Sequence, residues 1–127
     1  MYSAYTLTEE SRNALLEAQS PLFGKVICHH ITYQFPVKSE DELPPTPKKV
    51  RVIGYSASRT IGVECWVVEI DGEIHRPDHS LFHITISVDE HKKARPAQSN
   101  ELLRKNKFKF TKLYAPIDIE VIPEVLG

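Results

Sequence analysis

Residues 81–88 read as two interleaved rows. Phe82, Ile84, Ile86 and Val88 form one wholly apolar row, and Leu81, His83, Thr85 and Ser87 form the other. Side chains two positions apart share one face of a strand, so this run predicts a strand with a core face and a more polar face. Residues 25–35 are also β-rich, and Pro36 closes them. Their apolar row is Ile27, Ile31, Tyr33 and Phe35, with His29 as its one misfit; Cys28, His30, Thr32 and Gln34 face the other way. Residues 50–56 and 61–70 predict two further strands joined by Ala57-Ser58-Arg59-Thr60, and Asp71-Gly72 is a turn signal. Residues 73–80 form a polar connection, and residues 108–121 are β-like again, broken by Pro116.

Helical signals are fewer. Thr8 is placed to cap exposed N–H groups, and Glu9 and Glu10 suit the positive end of a helix dipole, so a helix is expected at about 8–19, ended by Pro21 and Gly24. Its apolar stripe is Ala14, Leu15, Leu16 and Ala18. Ser99 is expected to cap a short helix at about 100–106. Residues 38–49 carry three prolines and many charges, and predict a long loop of the kind that serves as a lid or binding element. Strands outnumber helices in a mixed order, so the expected class is α+β, built on antiparallel sheet.

Length and composition narrow the picture. A chain of 127 residues with 41% apolar and 26% charged residues suits one domain, 1–127, with a real core. No apolar run approaches the roughly 20 residues of a membrane helix, and the first residues do not read as a secretion signal. Two cysteines cannot build a disulfide framework or a four-cysteine zinc site, so a cytoplasmic protein with reduced thiols is expected. The net charge is −1, yet residues 91–112 hold eight Lys or Arg against the single Glu101, a local +7 that leaves −8 for the remainder. Such a segment fits a local phosphate contact better than bulk binding of a long duplex, and its plain alternative is a solvated lysine-rich face.

The informative feature is a repeated tripeptide. His30-Ile31-Thr32 and His83-Ile84-Thr85 each lie in a predicted strand. Each His shares its face with its Thr, while the Ile points to the core. An isolated His-x-Ser/Thr match is weak; the identical Ile, the strand context and the matching polarity strengthen it. Two imidazoles at one phosphorus have a clear use: one takes a proton from an attacking oxygen and the other gives one to the leaving oxygen. Threonine hydroxyls can donate to the non-bridging oxygens, where charge grows. The scheme requires neither metal nor cofactor. The plain alternative is a pair of histidines in ordinary half-buried strands.

The doubled pattern resembles the two-histidine (2H) phosphoesterase superfamily, and within it the cyclic phosphodiesterase domain of fungal and plant tRNA ligases and small free-standing relatives. The stretch Arg95-Pro96-Ala97-Gln98-Ser99-Asn100-Glu101-Leu102-Leu103 is similar to the segment after the second motif in that group, and the likeness spans about residues 25–104. The resemblance implies a bilobal fold of antiparallel sheets around a central cleft. It further implies opening of 2′,3′-cyclic phosphates on RNA ends or nucleotides, with His30, Thr32, His83 and Thr85 as the catalytic quartet. Some free-standing relatives, including phage enzymes that blunt bacterial antiviral signalling, cleave cyclic nucleotide or oligonucleotide signals instead. The implied partner is thus a cyclic nucleotide or RNA end, with no membrane involved. His30 is assigned as base and His83 as acid.

Other residues have chemistry to offer. Tyr33, Tyr55, Trp66 and Tyr114 are candidates for stacking on a base, although strand aromatics usually pack in cores. Arg51, Arg59 and Arg95 are candidates for holding a phosphate. The substrate-binding set expected from the sequence is Tyr33, Tyr55, Arg59, Trp66 and Arg95. Cys28 shares the polar row with His30, but a thiol nucleophile needs an activating neighbour. His29 is expected in the core or against a helix. His75, His79 and His83 have the spacing of a metal-binding helical stripe, but Pro77 intervenes and His83 sits in a strand. Two rivals therefore accompany the phosphodiesterase reading: a non-catalytic RNA- or nucleotide-binding module using the same cleft, and a metal-dependent hydrolase built on those three histidines.

Overall fold

A computed structural model describes all 127 residues. The chain is a small α+β domain. Its strands are β1 (Tyr2–Leu7), β2 (Lys25–Val26), β3 (His30–Gln34), β4 (Val50–Ser58), β5 (Val63–Ile70), β6 (His83–Val88), β7 (Thr111–Ile119) and β8 (Val121–Leu126), with helices α1 (Glu9–Ala18) and α2 (Gln98–Lys105). The eight strands form one antiparallel sheet in the order β7-β4-β5-β6-β3-β1-β8, with β2 paired to β6. No helix is long and apolar enough to cross a membrane.

Local chemistry accounts for most of these elements. The Thr8 hydroxyl accepts from the Ser11 N–H, as a helix cap should, and Glu9 and Glu10 occupy the first turn of α1. Asp71 and Gly72 both have positive φ, 49° and 85°, which suits the tight turn that brings Ile70 opposite Glu73. Pro116 does not break β7; it is tolerated because β7 is an edge strand bonded to β4 alone. Ser99 does not cap α2. Ala97 stands at the helix start, and Ser99 is instead fully buried against Thr85.

The expected strand over 25–35 is interrupted. Val26 pairs with Ser87 and Ile31 with Ile84, so five steps on one strand face three on the other. The excess is taken up at residues 27–29, where Cys28 has φ 41° and its carbonyl accepts from Arg12 Nε at 3.1 Å. Such a bulge re-aims side chains. Cys28 turns into the core, fully buried, and Ile27 turns toward the opposite side.

Two apolar clusters cover the sheet's faces. One holds Tyr5, Leu15, Cys28, Ile31, Val52, Trp66, Ile84 and Ile86 among its members. The other packs Val63, Cys65, Val67, Leu81 and Val88 under Leu102 and Leu103 of α2. Every residue of β6 is buried, so its polar row faces a covered space rather than open solvent.

The sheet's outer strands, β7 and β8, are joined by Glu120 alone. Ile119 lies opposite Val50 and Val121 opposite Leu7. The Glu120 N–H donates to the Ser11 hydroxyl at 2.7 Å, and its carbonyl accepts from the Thr8 N–H at 3.2 Å. One continuous segment thus ties the two edges of the curled sheet together.

Candidate active site

β3 and β6 touch through a single pairing, Ile31 opposite Ile84. Both isoleucines are fully buried in the core. One step along each strand, the antiparallel register sets His30 toward Thr85 and Thr32 toward His83. The two tripeptides are therefore related by an approximate two-fold axis through the isoleucine pair. His30, Thr32, His83 and Thr85 all line one cavity of about 430 Å³, within the range of small-molecule sites. Ile27, Phe35, Pro96 and Ala97 give it apolar walls, and Tyr2, Arg76 and Asn100 complete it.

The histidines differ in their support. His83 Nδ1 lies 2.9 Å from the Leu81 carbonyl. A carbonyl only accepts, so Nδ1 carries the hydrogen and the neutral ring keeps Nε2 as its bare nitrogen. His30 Nδ1 lies 3.0 Å from Nδ1 of His29, and the Tyr2 ring packs 5.4 Å from the His30 ring. Burial, reinforced by His29 and His83, holds His30 down at about 4. Burial also lowers His83 to about 4; the Leu81 bond opposes this, Arg76 adds to it, and Asp78 opposes it. Both imidazoles are thus neutral at pH 7 while the cavity is empty of anions.

The hydroxyls differ too. Thr85 Oγ1 donates to the Pro96 carbonyl at 3.1 Å and sits 2.8 Å from Ser99 Oγ. Its one hydrogen is directed at the loop before α2, which fixes the side chain in place. Thr32 lines the cavity with no such anchor.

Other sequence candidates fall elsewhere. Trp66 is 3% exposed, inside the core, with the Tyr55 ring edge-on to it. Tyr55 donates to the buried Glu64 at 2.7 Å. Tyr33 stacks on Phe82 and lines a second cavity of about 350 Å³ with Tyr5, Pro45 and His75. Arg59 lies exposed in the β4–β5 turn and Arg95 is exposed before α2, so the expected substrate-binding set does not assemble around the quartet. Arg51 pairs with Glu69 at 2.8 Å, and Tyr114 is fully exposed. Burial holds the Cys28 thiol up at about 11, which removes it as a nucleophile. His29 is exposed beside His30 rather than in the core, because the bulge turns it outward.

His75, His79 and His83 do not converge. His75 Nδ1 meets the His79 carbonyl at 2.9 Å, and its ring packs edge-on to Phe108. No group of three or more His, Cys, Asp or Glu is arranged to hold a metal ion. The loop at 38–49 borders the second cavity through Pro45, whose carbonyl accepts from the Tyr5 hydroxyl at 2.6 Å. All eight cations of 91–112 are exposed, and none lines the main cavity.

Sequence reasoning missed Arg76, Tyr2, Asn100 and Phe35. Arg76 is 7% exposed, and its Nη2 donates to Asp78 at 2.8 Å. Burial pushes Asp78 up, but bonds from Ser80 and the Arg76 charge outweigh it and hold the carboxyl below its ordinary range. A signal for Arg76 was present: an arginine between two histidines, before a proline, in a connection leading straight into the second His-Ile-Thr strand.

No protein-family model matches the chain, and no similar curated protein or solved structure is found.

Proposed function

We propose that this chain is a 2H-type phosphodiesterase that hydrolyses a cyclic phosphodiester by paired histidine acid–base catalysis. The observation that carries the reading is the convergence of His30, Thr32, His83 and Thr85 on one cavity about an approximate two-fold axis. The placing of β3 and β6 side by side in the middle of the sheet, each carrying one tripeptide, supports the bilobal arrangement the resemblance implies. The cavity, with apolar walls around a cluster of polar side chains, suits a compact cyclic phosphate at an RNA end, a nucleotide or a cyclic oligonucleotide.

The His83–Leu81 bond argues for reversing the roles first expected. His83 presents an unprotonated Nε2, the form of a general base. In this reading Nε2 takes a proton from an attacking water while the water oxygen bonds to phosphorus. His30 then gives a proton to the ester oxygen as its bond to phosphorus breaks. His30 must hold that proton beforehand, and the anionic substrate provides for it: a negative charge in the cavity opposes the burial and repulsion that keep both rings neutral. Thr32 donates to a non-bridging oxygen.

The test is turnover of 2′,3′-cyclic nucleotides, RNA with a cyclic end and cyclic dinucleotides, with EDTA present, read by product mass and phosphate position. Turnover is expected for at least one class, with loss in His30→Ala and in His83→Ala. Tight binding without turnover of any of them assigns the chain instead as a non-catalytic nucleotide- or RNA-binding module.

A further inference from the structure

The main cavity carries one fixed charge. No aspartate or glutamate lines it, and its histidines are neutral when it is empty of anions, so Arg76 is its only cation. An arginine this deeply buried is rare unless its donors are used. Here they are not all used. Nη2 is bonded to Asp78, but Nε is buried with no acceptor. Buried donors are nearly always satisfied, and an unsatisfied one in a cavity calls for an explanation.

The surrounding loop is built to hold this side chain. The Arg76 N–H donates to the Ser80 carbonyl at 2.7 Å, and the Arg76 carbonyl accepts from the His79 N–H at 2.9 Å. Asp78 is itself fixed, accepting from the Ser80 N–H at 3.0 Å and the Ser80 hydroxyl at 2.5 Å. A clamped carboxylate on one nitrogen orients the planar guanidinium and leaves the rest of the fork to another acceptor. Asn100, on the same cavity, has a buried Oδ1 with no donor. Arg76 and Asn100 thus both line the cavity of the quartet, and each keeps one buried polar atom without a partner.

We propose that Arg76 is the phosphate-binding residue of this cavity, with its guanidinium donating to a non-bridging oxygen of the bound phosphoryl group while Asp78 keeps it in place. The complementary ligand is a phosphate or phosphate ester. The inference rests on the proposed function for the identity of the substrate, but anion binding tests it without any turnover.

The experiment is calorimetric titration of the full-length protein with inorganic phosphate at pH 7 and constant ionic strength. Arg76→Gln is compared with the wild type and with Arg59→Gln, which removes an exposed cation outside the cavity. Loss of a charge-assisted bond weakens binding by about tenfold or more. The expected result is that loss for Arg76→Gln, with Arg59→Gln within about twofold of the wild type, as for an exposed charge. A wild-type protein that binds no phosphate, a folded Arg76→Gln with unchanged affinity, or an equal loss in Arg59→Gln overturns the proposal. Should Arg76→Gln fail to fold, the Arg76 Nε–H resonance of the wild type decides: it shifts as phosphate saturates the site, or the proposal fails. Arg76-dependent phosphate binding without turnover of any cyclic substrate preserves the anion site and ends the catalytic reading; turnover with Arg76-independent phosphate binding does the reverse.

Discussion

The two cavity histidines should make folding stability fall steeply between pH 7 and pH 5. Both have a folded pKa near 4, against an ordinary value of 6.5. A histidine with a depressed folded pKa binds a proton less readily folded than unfolded, so acid favours the unfolded chain. The destabilisation begins as pH drops through 6.5, grows until about 4, and is constant below. Each pH unit inside that window is worth about 1.4 kcal/mol per histidine. From pH 7 to pH 5 each contributes about 2 kcal/mol, and the pair about 4 kcal/mol, a large share of the 5–15 kcal/mol typical of a domain. Most carboxylates titrate below this window. The other four histidines are exposed.

Urea unfolding at pH 7, 6 and 5 measures the effect, with the wild type compared with His83→Gln and His30→Gln/His83→Gln. The single variant should lose about half of the wild-type pH dependence and the double variant most of it. A wild type whose stability is flat from pH 7 to pH 5, or a double variant that keeps the full slope, would refute the claim that these imidazoles are held neutral by burial.

Three packing predictions complement it. Gly54→Ala should lower stability by about 1–3 kcal/mol in urea unfolding, because its new Cβ would sit 2.1 Å from Phe110 Cδ2 where β4 shifts register against β7. Glu64→Leu should cost about 3 kcal/mol or more in thermal or urea unfolding, because fully buried Glu64 accepts from the Leu22 N–H at 2.5 Å, the Tyr55 hydroxyl at 2.7 Å and the Ser87 hydroxyl. Ser99→Ala should cost about 1 kcal/mol by the same measure, since Thr85 keeps its bond to Pro96 but loses its second partner.

The parts of this molecule that local periodicity encodes were legible in the sequence. Alternation over 83–86 identified β6 and its faces, and Thr8 with its two acids marked the start of α1; the alternation failed at Val88, which packs with Leu102 and Leu103 rather than with Ile84 and Ile86, because β6 shifts register against β5 there. The quartet followed from the same parity, because its members are placed by strand period alone. What was not legible depends on partners far away in sequence. β1 has a weak pattern, Tyr-Ser-Ala-Tyr-Thr-Leu, and becomes a strand because β3 and β8 flank it. Parity failed at Cys28, whose positive φ reverses the facing of Ile27 and Cys28. Trp66 and Tyr55 carry aromatic rings that suit either a base or a core, and only the fold decides between these uses. Ser99 suited a helix cap, but Thr85 offered it a buried partner. Arg76 reaches the cavity from an irregular connection, where no period governs direction.

The register of β3 on β6 rests on the Ile31–Ile84 pairing and on the backbone bonds of Ile27 and Cys28 to Ile86 and Thr85, both 2.8 Å. The side chains at the seam reinforce it. A slip of one residue on both strands would turn Ile31 and Ile84 into the cavity and drive His30, Thr32, His83 and Thr85 into the core. Exposing two fully buried isoleucines costs about 1.5–3 kcal/mol each, and burying four polar side chains without partners costs about 1–3 kcal/mol each. The total is on the order of 10 kcal/mol, comparable with the whole stability of a domain. The closing segment adds a second constraint from outside the seam, because β7 and β8 fix the far edges of both half-sheets relative to each other through Glu120. The isoleucine in each tripeptide is therefore as much a determinant of the cavity as its neighbours: the alternation that presents the histidines and threonines also makes any other register untenable.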